Sequence, residues 1–302
     1  MLQTFSLALK RGPVPLPRHG CPNGNPQLIC PDRPGLVSEL SGWVSANGGN
    51  IRHADHHTDS GAGLFLSRLE WDLEGFGLPR ASLPEAVQAL SARLGGEGQL
   101  HFSDQQRRVA LFVSKQDHCL LDLLWRTRAG ELPMQVPLVI SNHPDLRAIA
   151  EDFGARFELV PVSAESKQQA EQRQLELLAE EGIDLAVLAK YMQVLSGDFL
   201  GRFSPVINIH HSFLPAFTGA QPYHRAWERG VKLIGATAHY VTEELDAGPI
   251  IEQATVHVSH RDEVHDLIRK GRDMERLALA RALRQHLHHQ VMVYRGRTAV
   301  FD

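Results

Sequence analysis

From residue 109 to residue 210 strand-like and helix-like runs alternate without a break, and this alternation constrains the chain more than any other feature. Strands are expected at 109–113, 136–140, 157–160, 185–189 and 206–210, with helices at 120–129, 144–153, 167–181 and 197–203 between them. Successive strands separated by helices pair in parallel, because a two-residue turn cannot return the chain to run in the same direction. The helices then cover both faces of the sheet. An α/β, Rossmann-like arrangement with a mostly parallel sheet is the expectation, and ligands in such sheets bind outside the carboxyl ends of the strands.

Upstream the texture differs. A short strand at 28–30 runs into the turn Pro31-Asp32-Arg33-Pro34-Gly35, which opens a helix through Leu36, Leu40 and Val44 that ends at Asn47-Gly48-Gly49. Asp32 is placed to cap it and Pro34 lies near its first turn. Strands at 50–58 and 63–71, a helix at 83–94 and a strand at 98–102 complete a βαββαβ order, the ferredoxin-like arrangement. The stretch Cys30 to Leu36 resembles the opening of ACT domains, which bind amino acids between paired copies. The expected organisation is an irregular extension over 1–26, punctuated by Pro13, Pro15, Pro17, Pro22 and Pro26, then an ACT domain over 27–103. A polar linker over 104–107 leads to a catalytic domain over 108–302.

Several function classes are disfavoured by composition. A net charge of −4 supplies no basic footprint for nucleic acid. No apolar run approaches the roughly 20 residues that a membrane helix needs. The basic Lys10 and Arg11 follow the apolar N-terminal stretch instead of preceding it, opposite to a secretory signal. Three cysteines, Cys21, Cys30 and Cys119, do not make a disulfide framework and fit reduced thiols in a cytoplasmic protein.

The chemistry concentrates in two segments. Asn208 and His210 end the apolar run Val206-Ile207-Asn208-Ile209-His210, so in a strand they share a face. Asp246 follows a second strand-like run, in a turn marked by Gly248-Pro249. Carbonyl chemistry needs a neutral donor for the oxyanion, a group that moves a proton, and a carboxylate to orient both. Asn, His and Asp supply these without a metal or a covalent nucleophile. Alternation places His211 on the opposite face, as a supporting residue with Ser212 and Gly219. The histidine groups His53, His56, His57 and His286, His288, His289 lack a closed set of metal ligands with convincing spacing, so no metal is expected.

Asn208-Ile209-His210-His211-Ser212-Phe213-Leu214-Pro215 with Leu245-Asp246-Ala247-Gly248-Pro249-Ile250 resembles the folate-dependent formyltransferase superfamily. The wider stretches Leu188-Ala189-Lys190-Tyr191-Met192 and 207–253 are similar to its formyltetrahydrofolate deformylase family. The resemblance implies that Asn208 and His210 bind the formyl oxygen while Asp246 holds His210 and positions a water. It implies a folate pocket walled by Leu188, Tyr191, Met192, Val194 and Leu195, with the loop at His239, Tyr240, Val241, Thr242 and Glu243 reading the pterin edge. The expected reaction is hydrolysis of 10-formyltetrahydrofolate to formate and tetrahydrofolate, feeding purine biosynthesis, with no tightly bound cofactor. A homo-oligomer, dimer or tetramer, is expected from the ACT resemblance. Its amino-acid effector would lie near Asp32, Gly35, Leu36, Asn47, Gly49 and Asn50.

Two rival readings remain at this stage. Superfamily members that formylate a sugar-phosphate amine carry a glycine-rich phosphate loop after the first catalytic strand. Here that position reads Val113-Ser114-Lys115-Gln116-Asp117-His118-Cys119, with no glycine to let backbone amides approach a phosphate. That weakens a formyltransferase to a small amine. A non-catalytic folate- or amino-acid-binding regulator is disfavoured by the intact Asn208, His210 and Asp246.

Overall fold

The computed structural model describes residues 22–215 and 222–301. Two sheets organise it. The first is antiparallel and is built from β1 (Asn23–Pro31), β2 (Ile51–Asp59), β3 (Leu64–Asp72) and β4 (Glu97–Phe102), in the order β2-β3-β1-β4. Helices α1 (Leu36–Ala46) and α2 (Leu83–Arg93) pack on one face. Leu28, Cys30, Leu36, Leu40, Val44, Trp71, Val87 and Leu90 close the core between them. This is the ferredoxin-like βαββαβ arrangement, and its antiparallel sheet is ACT-like.

Two details correct the reading of this part. The strand begins at Asn23, inside the stretch expected to be irregular up to residue 26. Pro26 is accommodated because β1 pairs with β3 at Gly24 and again from Gln27, with Asn25 and Pro26 outside that ladder while both pair with β4. A proline lacks the N–H that a central strand needs on one side, and the break falls where the donor is missing. Asp32 does not cap α1. Gly35, at φ 90, occupies the N-cap without a side-chain cap, while the Asp32 backbone N–H donates to Gly63 O at 2.9 Å.

The second sheet has seven strands in the order β11-β10-β9-β8-β5-β6-β7. Along the chain these are β5 (Arg107–Val113), β6 (Met134–Ser141), β7 (Arg156–Leu159), β8 (Leu185–Leu188), β9 (Val206–His210), β10 (Leu233–Tyr240) and β11 (Ile250–His257). The first five run parallel, and β10 and β11 return antiparallel at the edge. Helices α3 (His118–Arg128), α4 (Arg147–Asp152) and α8 (Val264–Leu287) cover one face with a large apolar cluster that includes Val109, Leu111, Leu120, Val187 and Leu283. On the other face α5 (Lys167–Glu180) and α6 (Gly197–Arg202) bury Phe112, Ile140, Leu177 and Phe199. The remaining helix, α7 (Pro222–Glu228), packs against α8. Connectivity reverses between β5 and β8, where α/β sheets open a crevice for ligands.

The chain ends in a hairpin, β12 (Val291–Tyr294) and β13 (Arg297–Val300), that docks on the N-terminal sheet. Leu66 meets Met292, Tyr294 and Phe301 there. Arg68, almost buried, donates from Nε to His289 O at 3.0 Å and pairs with Asp55 and Glu70. Gln27 Nε2 also reaches His289 O, at 3.0 Å.

Arg68→Ala should therefore loosen the N-terminal sheet from the rest. Loss of charge-assisted hydrogen bonds at a nearly buried site costs about 1.5–3 kcal/mol. Hydrogen exchange should accelerate in residues 23–102 more than in β5 and β8; uniform protection would refute this account of the interface.

Candidate active site

The site forms at the carboxyl ends of β8 and β9, beside the antiparallel strand β10. Strand β9 lies parallel to β8, so its last residues project from the carboxyl edge of the sheet, and β10 runs back beside it with Thr237 opposite His210 and His239 opposite Asn208. The next loop folds over this edge and closes when Tyr240 N–H donates to Pro249 O at 3.0 Å. Gly248 makes the closure possible, because a Cβ at that position would collide with the Tyr240 carbonyl. The loop holds Asp246 in the left-handed region, φ 56, a conformation unfavourable for a residue with a side chain and typical of functional sites.

Asp246 Oδ2 accepts from His210 Nδ1 at 3.1 Å, and its Oδ1 stands 3.7 Å from His239 Nε2. His239 Nδ1–H donates to Tyr240 O at 2.9 Å, which leaves Nε2 to accept from the Asn208 amide at 3.2 Å. The hydrogen bond from His210 holds the Asp246 carboxyl well below the usual carboxylate range despite partial burial. His210 is 6 % exposed, and its Nε2 has no hydrogen-bond partner. A buried polar atom without a partner is uncommon, and this one is available to a ligand. Unprotonated, Nε2 offers a lone pair; protonated, it donates. The second Asn208 N–H is a further donor for a developing oxyanion.

These groups lie in a cleft of about 380 Å³. Leu188, Tyr191 and Leu195 are buried in its wall, while Met192 and Val194 line it with 59 % and 52 % of their surface exposed. Tyr191 is chiefly structural: Gln174 Nε2 donates to its hydroxyl at 2.8 Å and its ring meets Phe112 edge-on. The wall is anchored from below by Ser114, which accepts from Met192 N–H at 3.1 Å and donates to Asn142 at 2.7 Å. Val241 and Thr242 line the cleft together with Glu244 and Leu245.

His211 stands elsewhere than its spacing suggested, and the side chains of Tyr240 and Glu243, named through the family resemblance, lie outside the cleft. His211 is not turned away: the strand ends at His210, alternation ends with it, and the His211 ring stacks on His210 with centroids 4.7 Å apart. Burial, the nearby Lys190 ammonium and His210 push the His211 imidazole down to about 4, so it is neutral at physiological pH. The Tyr240 hydroxyl points away from the cleft and is hydrogen-bonded with His286 Nδ1 at 2.7 Å. Glu243 lies against Gly197 at the start of α6 and does not line the cleft. Ser212 is buried with an unpartnered hydroxyl, its carbonyl accepting from Thr237 Oγ1 at 2.9 Å. Gly219 lies outside the described residues.

The sequence reading passed over a buried polar group behind the site. Glu275 on α8, 2 % exposed, accepts from His118 Nε2 at 2.6 Å, from Lys190 Nζ at 3.2 Å and from the Tyr223 hydroxyl at 3.1 Å. Burial pushes the Glu275 carboxyl up, but His118 and Lys190 outweigh it and hold it down to about 2. Gly271 makes room for Tyr223, since a Cβ there would collide with the phenol. The signal was present: Leu267, Gly271, Glu275 and Leu279 recur every four residues along a buried helical stripe, where a carboxylate is out of place unless paired. The ligand atoms of His118, Cys119 and Glu275 lie within 4.8 Å of one another. Both oxygens of this carboxylate are nevertheless engaged, and burial keeps the Cys119 thiol protonated.

The formyl transferase family matches residues 107–283. A formyltetrahydrofolate deformylase of Synechocystis is 59 % identical over 274 residues, 91 % of this chain and 96 % of that protein. The chain belongs to the formyltetrahydrofolate deformylase family. Its relative from Mycobacterium tuberculosis is 50 % identical over 277 residues, covering 91 % of this chain and 89 % of the relative. The crystal structure of a family member from Pseudomonas syringae superposes with a TM-score of 0.91 at 43 % identity, covering 94 % and 96 % of the two chains. A glycinamide ribonucleotide transformylase from Symbiobacterium toebii is similar over less of this chain: 67 %, and 97 % of its own length, at TM-score 0.63 and 32 % identity. Deformylase relatives therefore share nearly the whole chain, whereas the transformylase lacks a counterpart for a third of it.

Asp246→Asn should leave the fold intact and reduce turnover by at least 10²-fold, and Asn208→Ala should cost on the order of 10²–10³ as a lost oxyanion donor. The Asp246 carboxyl is depressed in the folded state, so its stabilising effect is complete above the unfolded value of about 3.9 and is lost as pH falls through the folded value. The stability gap between the parent and Asp246→Asn, followed by denaturant midpoint, should accordingly be constant from pH 7 to 5 and shrink below 4. A near-normal rate in Asp246→Asn would contradict its assignment.

Proposed function

We propose that this protein hydrolyses 10-formyltetrahydrofolate, with water as the only other substrate and no tightly bound cofactor. The observation that carries the reading is the unpartnered His210 Nε2, buried beside an Asn208 N–H and backed by an ionised Asp246. In this reading the formyl oxygen enters between His210 and Asn208, and Asp246 fixes the imidazole and orients the attacking water. As the tetrahedral intermediate forms, negative charge on oxygen meets donors already in place, so little reorganisation is needed. The intermediate collapses with the folate nitrogen leaving as a weakly basic amine. Backbone groups of residues 241–246 can read the flat, amide-like pterin edge, and the apolar wall at Leu188 and Leu195 suits an aromatic ring. The formate would supply purine biosynthesis from the cytoplasm.

The assignment of domains and effector belongs to the same proposal. Residues 27–103 act as an ACT regulatory domain, and 108–302 carry catalysis. Asp32, Gly35 and Leu36 lie at one end of α1 and Asn47, Gly49 and Asn50 at the other, about 16 Å apart for eleven helical residues. One copy cannot join them around a single amino acid, which favours a site completed by a second copy and hence a homo-oligomer. A strictly monomeric mass by light scattering at working concentration would refute this part.

For the reaction, 10-formyltetrahydrofolate alone should yield formate and tetrahydrofolate in equal amounts. Glycinamide ribonucleotide should neither accelerate folate release nor divert the formyl group. A strict requirement for an amine acceptor, with no formate formed, would overturn hydrolysis.

A further inference from the structure

The group behind the cleft has a property that packing does not explain. Lys190 follows β8 at φ 66, in the left-handed region, and is 6 % exposed. Glycine would meet the backbone requirement without strain, and a buried ion pair is weak evidence of a stabilising role, since its desolvation can exceed its Coulombic gain. Two unfavourable features at one residue of a ligand cleft point to function. Among the described residues Lys190 Nζ has one hydrogen bond, to Glu275 Oε1, although an ammonium has three N–H groups. Glu275 is meanwhile shared with His118 and Tyr223, so it does not neutralise Lys190 alone. Lys190 lines the same cleft as Asn208, His210 and Asp246, and its charge is felt by His211, whose ring stacks on His210.

Hydrolysis creates a charge that transfer to an amine does not. Water oxygen bonds to the formyl carbon, and the carbon–nitrogen bond breaks with its electron pair going to nitrogen. One proton of the water ends on that nitrogen; the second is lost as formic acid ionises, leaving formate. Transfer to an amine would leave a neutral amide instead. We propose that Lys190 is the cation that receives this negative charge as formate forms, and that Glu275, His118 and Tyr223 position its ammonium at the cleft wall. The proposal rests on the hydrolytic reading and assigns it a product-binding group.

The test uses the full-length protein and sodium formate as the probe. Removing Lys190 alone would strand a buried carboxylate, so Lys190→Met is combined with Glu275→Gln; Lys190→Gly with Glu275→Gln, which relaxes the backbone, is a second background. Formate binding by calorimetry and formate inhibition of turnover should both weaken about 10- to 100-fold, the effect of losing a hydrogen bond to a charged group. KM for the folate should change less than threefold while kcat falls. Lys190→Arg should retain most of the formate affinity. Unchanged formate binding in a folded double variant would overturn the proposal, as would the absence of saturable formate binding to the parent. If the parent releases no formate from 10-formyltetrahydrofolate, hydrolysis itself fails; if it does and the variants behave like the parent, only the role of Lys190 fails.

Discussion

Everything in the site depends on the register between β9 and β10. With His239 opposite Asn208 and Thr237 opposite His210, the amide, two imidazoles and the Asp246 loop converge on one edge of the sheet. A slip of one residue would reverse every side chain of the moving strand, sending His239 into the covered face and Ala238 toward the cleft. Thr237 guards against this from inside: its hydroxyl donates to Ser212 O and accepts from Leu214 N–H and Gln253 Nε2. The segment after His210 is thus tied to the strand beside it. Because β10 runs antiparallel it ends beside the start of β9, where Val241 N–H donates to Val206 O, and the loop that follows crosses back to bring Asp246 to His210.

Behind this edge the protein tolerates a group of buried polar residues that a purely structural core would avoid. Desolvating Glu275 is offset because three donors from three different elements converge on it. Those elements are the start of α3, the strand-end turn at Lys190 and α7. Met192 in turn hangs from Ser114 at the end of β5. The cleft wall is therefore fixed by polar contacts that reach across the sheet from β5 to α8, and the apolar side chains at its surface ride on that frame.

Much of this was legible in the sequence because it depends on periodicity. The alternating runs of 109–210 required a parallel sheet, and the period of two along Val206–His210 put Asn208 and His210 side by side. What escaped depends on where regular structure ends. Alternation puts His211 on the opposite face, but the pleat stops at His210 and the ring turns back onto it. Tyr240 and Glu243 enter only through the family resemblance of their loop, and the turn sends the one side chain toward α8 and the other over α6. Pro26 suggested irregularity, yet a ladder can open on one side of a strand and continue on the other. Glu275 is separated from Lys190 by 85 residues, and no local pattern announces a contact of that kind.

The docked C-terminal hairpin has a consequence for how the chain is made. Leu66 and its neighbours on the N-terminal sheet are covered by Met292, Tyr294 and Phe301, which leave the ribosome about 190 residues after the end of β4. At about 5–20 residues per second, some 10–40 s separate completion of β4 from the arrival of its cover. During that interval the sheet can close its helical core but presents a bare apolar face to the cell. The nascent protein must pass through this sticky half-finished form each time it is synthesised, and a chaperone or a second nascent chain would meet that face before the hairpin does.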